Sequence, residues 1–224
     1  MAAVAPRELK IGAIIDKTLG VLERTAGPAL AYFAALTAID CAITYFTLSM
    51  IAPLQALAIG LLKMVVGIVA GYLLLDAMVR KTGLRSGKGE DTFLTFFGLS
   101  LLSGFAVLVG LILLIIPGLF LIARWSIAQP LVVARGDGVM QAFGESWERT
   151  RGNEFQILMA MLALLALFIA IAIAGAALFE KTDIIGIVIG QVGSSAISAA
   201  SLAMGVALYG LIVGAEKDVA ATFE

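Results

Sequence analysis

The sequence predicts an all-α, polytopic membrane protein, and three observations carry that fold class. Hydrophobic residues make up 61% of the 224 residues and charged residues 14%, against roughly 45–50% and about 25% in soluble domains. Mean hydropathy is +1.06, and a chain of this length cannot hide so much apolar surface from water, so most of it must face lipid. The apolar residues form continuous runs, not alternating segments of ~10 residues, which excludes a membrane β-barrel.

Taken in order, residues 7–25 read as a surface helix. Ile11, Ile14, Ile15, Leu19 and Leu22 recur at helical spacing while Lys10, Asp16, Lys17, Glu23 and Arg24 take the other faces, the pattern of an interfacial amphipathic helix. No compact apolar core with a cleavage site follows the N-terminus, so a cleavable signal peptide is not expected. Six spans follow, because a bilayer core of ~30 Å takes ~20 apolar residues in a helix. They are residues 29–50 with Asp40, 54–79 with Lys63 and Asp76, 93–116 without charge, 118–134 with Arg124, and 155–179 and 184–214 without charge. Pro53 and Pro117-Gly118 mark two tight hairpins, since proline cannot continue the helical ladder. The fourth span is short, and Pro130 is expected to break it near one end. A re-entrant hairpin over residues 93–134 is therefore the alternative to two full spans. Between spans four and five, residues 139–150 repeat the amphipathic pattern with Val139, Met140, Phe143 and Trp147.

Orientation follows from the basic residues. Arg7, Lys10, Lys17, Arg24, Arg80, Lys81, Arg85, Lys88, Arg135, Arg149, Arg151 and Lys217 fall on one side and Lys181 on the other. Both termini are expected in the cytoplasm. The net charge of −1 gives no basic character for nucleic acid, which is not an expected partner. Leu22-Glu23-Arg24-Thr25-Ala26-Gly27 matches Trp147-Glu148-Arg149-Thr150-Arg151-Gly152, and each run leads into a span, which suggests a parallel internal repeat.

The most distinctive run is Ile116-Pro117-Gly118-Leu119-Phe120-Leu121-Ile122-Ala123-Arg124-Trp125. It continues through Gln129-Pro130-Leu131-Val132-Val133 to Glu145-Ser146-Trp147-Glu148-Arg149-Thr150-Arg151-Gly152-Asn153. This run, with the opening Leu9–Asp16, resembles the glycerophosphoryl diester phosphodiesterase membrane domain family. The resemblance implies a stand-alone bacterial inner-membrane module. Some relatives fuse it to a catalytic barrel that relies on paired histidines, and this chain has no histidine, so enzymatic activity is not carried over.

The ionisable residues placed within spans are the candidate functional positions. Asp40 and Lys63 lie equidistant from the turn at residues 51–52 on antiparallel helices and should meet. They form either an ion pair that locks the hairpin or a polar site for a proton or substrate. Arg124 could snorkel, pair with Asp40 or hold an anionic headgroup, and Asp76 is expected to pair with Arg80 four residues on. Gln129 and Gln191 are further binding candidates, and Arg149 and Arg151 are candidates for lipid headgroups. Gly186, Gly190, Ser194, Ser198, Ser201 and Gly205 form a small-residue face for packing within the bundle or against another copy or membrane partner. Cys41 stands alone, so neither a disulfide framework nor a cysteine-based metal site is expected, and no cofactor motif is present. Membrane lipids are the expected partners. The functions implied are a non-catalytic accessory, scaffold or lipid-interacting module, or alternatively a small permease-like transporter working through Asp40, Lys63 and Arg124.

Overall fold

The computed structural model describes residues 9–47, 53–87, 92–178 and 184–214. They form nine α-helices: α1 Ile11–Arg24, α2 Ala26–Thr47, α3 Pro53–Lys81, α4 Phe93–Leu113, α5 Ile115–Arg124, α6 Ala128–Arg135, α7 Val139–Arg149, α8 Glu154–Leu178 and α9 Ile184–Tyr209. A π-helical turn, Gly210–Gly214, closes the described chain, and there is no strand among the described residues. Among the described residues five segments are long and apolar enough to cross a membrane, and a sixth is obtained when α7 and α8 are counted together across a 101° bend. The ends of the predicted first and fifth spans, the residues before Leu9, and Lys88, Lys181 and Lys217 lie outside the described residues.

α9 is the central helix. Ala199, Ala200, Ala203 and Ala207 are buried along it, and α1, α2, α3, α6 and α8 all pack against it. Small side chains let these helices come close, which supplies van der Waals contact where lipid gives no hydrophobic drive. A Cβ on Gly205 would stand 3.0 Å from the Ser126 carbonyl oxygen, so Gly205 serves contact within the bundle. Gly186 and Gly190 lie on α9 in a stretch of which only the backbone is described.

Proline sets the helix starts, with an offset the sequence did not predict. Pro53 is the first residue of α3, and Pro28, Pro117 and Pro130 are each the third residue of α2, α5 and α6. The N–H groups of a first helical turn have no partner within the helix, so proline forfeits nothing there. The hairpin between the third and fourth segments therefore turns at the extended Leu114, not at Pro117-Gly118. The fourth segment breaks at residues 125–127, not at Pro130. Gly118 serves close approach instead: a Cβ there would sit 2.6 Å from the Leu111 side chain and 2.8 Å from its backbone nitrogen.

The two helices predicted to lie at the surface differ. α1 turns Ile14, Thr18 and Val21 inward against α8 and α9, so part of its apolar face covers protein, while Leu19 stays exposed. α7 packs on α6 and α4. The proposed repeat agrees locally: Thr25 and Thr150 are both buried and bond back to Val21 O at 2.7 Å and Ser146 O at 2.8 Å. Past that point the copies diverge. Gly152 has φ 84°, a left-handed conformation suited to glycine, at the bend into α8, whereas Gly27 is already within α2.

Candidate functional site

The residues with the densest polar environment gather where α5, α7 and α8 meet. Arg124, the last residue of α5, is 6% exposed. Its Nη1 donates to the Trp147 carbonyl oxygen at 2.7 Å and lies 3.1 Å from Glu154 Oε1. The guanidinium carbon stands 4.4 Å from the Trp147 ring centroid and 5.3 Å from that of Phe120, close enough for cation–π attraction. Its Nε is buried without a hydrogen-bond partner, and stacking on Trp147 offsets part of that cost. The Arg124 carbonyl oxygen, freed by the end of α5, accepts from Ser146 Oγ at 2.7 Å and Thr150 Oγ1 at 3.1 Å. Next to this cluster Asn153, at the start of α8, accepts at Oδ1 from the Leu9 backbone N–H at 2.8 Å. The chain leading into α1 is thereby fixed to the α7–α8 bend.

A second network lies at the far end of α6. Glu145 Oε1 accepts from Arg135 Nη1 and, at 2.7 Å, from Arg149 Nε. Arg135 Nε is 3.5 Å from Asp137 Oδ2, which is buried and without a hydrogen bond. Burial raises the Asp137 carboxyl above the ordinary carboxylate range. Arg135 pulls it back, Glu145 adds to the rise, and Arg149 opposes it. Asp76 pairs with Arg80 at 2.7 Å, as its spacing predicts, and also with Arg85 at 3.0 Å.

The third polar site is the first hairpin. Lys63 Nζ lies 3.0 Å from Asp40 Oδ1, the contact expected from their symmetry about the turn. Thr37, one turn before Asp40, has a buried hydroxyl without a partner, and Tyr32 lies near the Ser198 side chain of α9.

The structure thus separates Arg124 from Asp40 and Lys63, the three residues that the sequence offered as one functional set. Asp40 meets Lys63, whereas Arg124 meets Glu154 and not Asp40. Glu154 was missed because it heads the fifth segment, 30 residues after Arg124, with no local spacing to join them. Gln129 Nε2 reaches Ser100 Oγ at 3.4 Å, tying α6 to α4. Arg149 is engaged by Glu145, and Arg151 is exposed. Gln191 lies on α9, and its side chain is outside the described residues. Ser194, Ser198 and Ser201 are exposed on α9, and Ser198 and Ser201 bond back to the carbonyls of Ser194 and Ile197. An apolar cleft of about 150 Å³ opens between α5, α8 and α9, lined by residues that include Ile122, Leu158, Phe168 and Met204, with Ser201 as its polar residue. Among the described residues no three Cys, Asp or Glu side chains are grouped to hold a metal ion. Comparison with protein families, curated proteins and solved structures finds no match for this chain.

Proposed function

We propose that this chain is a non-catalytic, multi-pass module of a bacterial inner membrane, acting as an accessory or scaffold in contact with membrane lipid. The observation that carries this reading is the separate pairing of Asp40, Lys63 and Arg124 within the protein. None of the three lines the cleft, which is apolar. Charges used to move an ion or solute face a shared, water-filled path, whereas charges paired apart from one another fix helices. The resemblance of residues 116–153 to the phosphodiesterase membrane domain family supports the same reading, and the lack of histidine weighs against the hydrolytic chemistry of its fused relatives.

In this reading both termini are cytoplasmic, from the distribution of basic residues, and α1 and α7 lie at the cytoplasmic interface. Six crossings result if α4 and α5–α6 both reach the far surface, and four if they form a re-entrant hairpin. The termini share a side in either case. Arg151 and Arg149 stand where anionic headgroups are drawn to basic side chains. Native mass spectrometry of protein extracted in mild detergent tests the lipid contact. Anionic phospholipid should be retained over zwitterionic lipid, and Arg151→Ala should reduce it. Equal retention of both lipid classes would contradict the reading.

One observation favours the permease-like alternative: Thr37 and the Tyr32–Ser198 pair extend a polar track from Asp40 along α2. Under that reading Asp40→Asn abolishes an ion flux into proteoliposomes while leaving the fold intact. As a scaffold, the protein shows no flux to abolish.

A further inference from the structure

The α4–α5 hairpin ends in six consecutive apolar residues, Ile112–Pro117, all exposed, Ile116 at 80%. How far this tip reaches follows from two helix lengths and one bond. α5 ends at Arg124, which is bonded to Glu154, the first residue of α8. α5 has 10 residues, so at ~1.5 Å per residue the tip lies at most ~15 Å beyond that bond. α8 has 25 residues, or ~37 Å on the same rise, and crossing the hydrocarbon takes ~30 Å. If α8 spans the membrane, Arg124 and Glu154 are near one boundary and the tip stops near the middle.

α4 has 21 residues, or ~31 Å on the same rise, so with the tip at mid-membrane its first half lies in the layer of α6 and α7 that it packs against, where Phe96 and Leu99 are buried. α4 and α5–α6 run antiparallel along their length, with Gly110 against Gly118, Ser100 bonded to Gln129, and Thr92 beside Gly136. Residues 92–123 carry no charge. The turn keeps much of its backbone satisfied without water, as hydrocarbon requires. Leu114 N–H donates to Gly110 O at 3.0 Å and Gly118 N–H to Leu114 O at 3.4 Å, and Pro117 has no N–H to satisfy. α1, fixed to Asn153, and α7, bonded to Arg124, add bulk at the same end.

We infer that residues 93–135 form a re-entrant hairpin whose tip packs among acyl chains at mid-membrane, making the chain a wedge in one leaflet. Its partner is the lipid of a membrane convex on the side where α1 and α7 lie. The inference rests on the reading of α8 as a span. The added cross-section is confined to one leaflet, and it fits best where that leaflet is expanded, as interfacial helices favour curved surfaces.

The test uses the full chain with Cys41→Ser, oriented in vesicles, carrying Leu114→Cys or, as a second position, Ile112→Cys. A bimane at either position should be quenched most by lipid brominated near the acyl-chain ends, and impermeant thiol reagents should modify neither position from either side. Labelling from the side that reaches Lys181→Cys would mean a full span and would overturn the inference. So would labelling from the side that reaches Arg85→Cys, which would place the tip outside the membrane. If Lys181→Cys and Arg85→Cys label from the same side, α8 does not cross, and the proposed bundle fails before the depth of the tip is at issue. In tubes pulled from these vesicles with the α1 side outward, the labelled protein should be enriched at least about twofold over the flat membrane. Equal partition would overturn the wedge.

Discussion

Arg124 and Lys63 are both cations on helices rich in apolar residues, and the protein holds them in different ways. At the end where α5, α7 and α8 meet, Arg124 is buried among a carboxylate, a backbone carbonyl and two aromatic rings. Its own carbonyl accepts from two hydroxyls. Midway along α3, Lys63 is held among the described residues by Asp40, which stands 14 residues past the start of α2, or ~21 Å along the helix. The surroundings differ likewise. Leu74, Leu75, Met78 and Val79 of α3 are buried toward the Arg124 end, while Leu54, Leu57, Leu61 and Leu62 of the same helix are exposed. One end is a packed protein core in which no single bond dominates. The other is a sparser set of helices with exposed apolar surface, held among the described residues by the Asp40–Lys63 pair.

Three substitutions sharpen this contrast, in order of decreasing effect. Arg124→Met removes the stacking and the bond to Trp147 together and leaves Glu154 half-buried without its partner. A hydrogen bond to a charged group contributes about 1.5–3 kcal/mol and desolvated cation–π contacts about 2 more, so the folded fraction in mild detergent, read by size-exclusion chromatography, should collapse. Gly118→Ala forces a methyl group against the backbone of Leu111. Overpacking of this kind costs about 1–3 kcal/mol, and the thermal midpoint in detergent should fall without loss of the folded peak.

The smallest effect is expected at Asp137. Burial holds its carboxyl above the usual range, so its contribution to stability is present below the unfolded value and is lost as pH rises through the raised one. Asp137→Asn should therefore be at least as stable as the parent at neutral pH. Thermal melts should show its margin over the parent closing as the pH falls below the ordinary aspartate value. A margin that widens on acidification would mean that Arg135 holds the charged form after all.

Much of this architecture was legible in the sequence because hydropathy and helical spacing are local signals. The long apolar helices, the Asp40–Lys63 contact and the Asp76–Arg80 pair each follow from distances along the chain. What was not legible depends on how segments meet. Glu154 is joined to Arg124 by the placement of α7 and the bend at Gly152, which no spacing encodes. A carboxylate heading an otherwise uncharged apolar run was the one available signal. Proline misplaced two boundaries by about a turn, because Pro117 and Pro130 sit inside the first turn of a helix and not before it. The repeat was visible as six residues, and the structure keeps from it the buried threonine at each helix end.

Two double-mutant cycles under one condition test the contrast most directly: Lys63→Met with Asp40→Asn, and Arg124→Met with Glu154→Gln, each read as unfolding free energy in mixed micelles. With α3 spanning the bilayer as proposed, an unpaired Lys63 or Asp40 stands away from water, so each single change there should cost about 2–3 kcal/mol and the double change should regain most of it. At Arg124 the second substitution should regain little, because the bond to Trp147 and the stacking remain lost. Additive losses at Asp40 and Lys63, together with rescue of Arg124→Met by Glu154→Gln, would contradict the account.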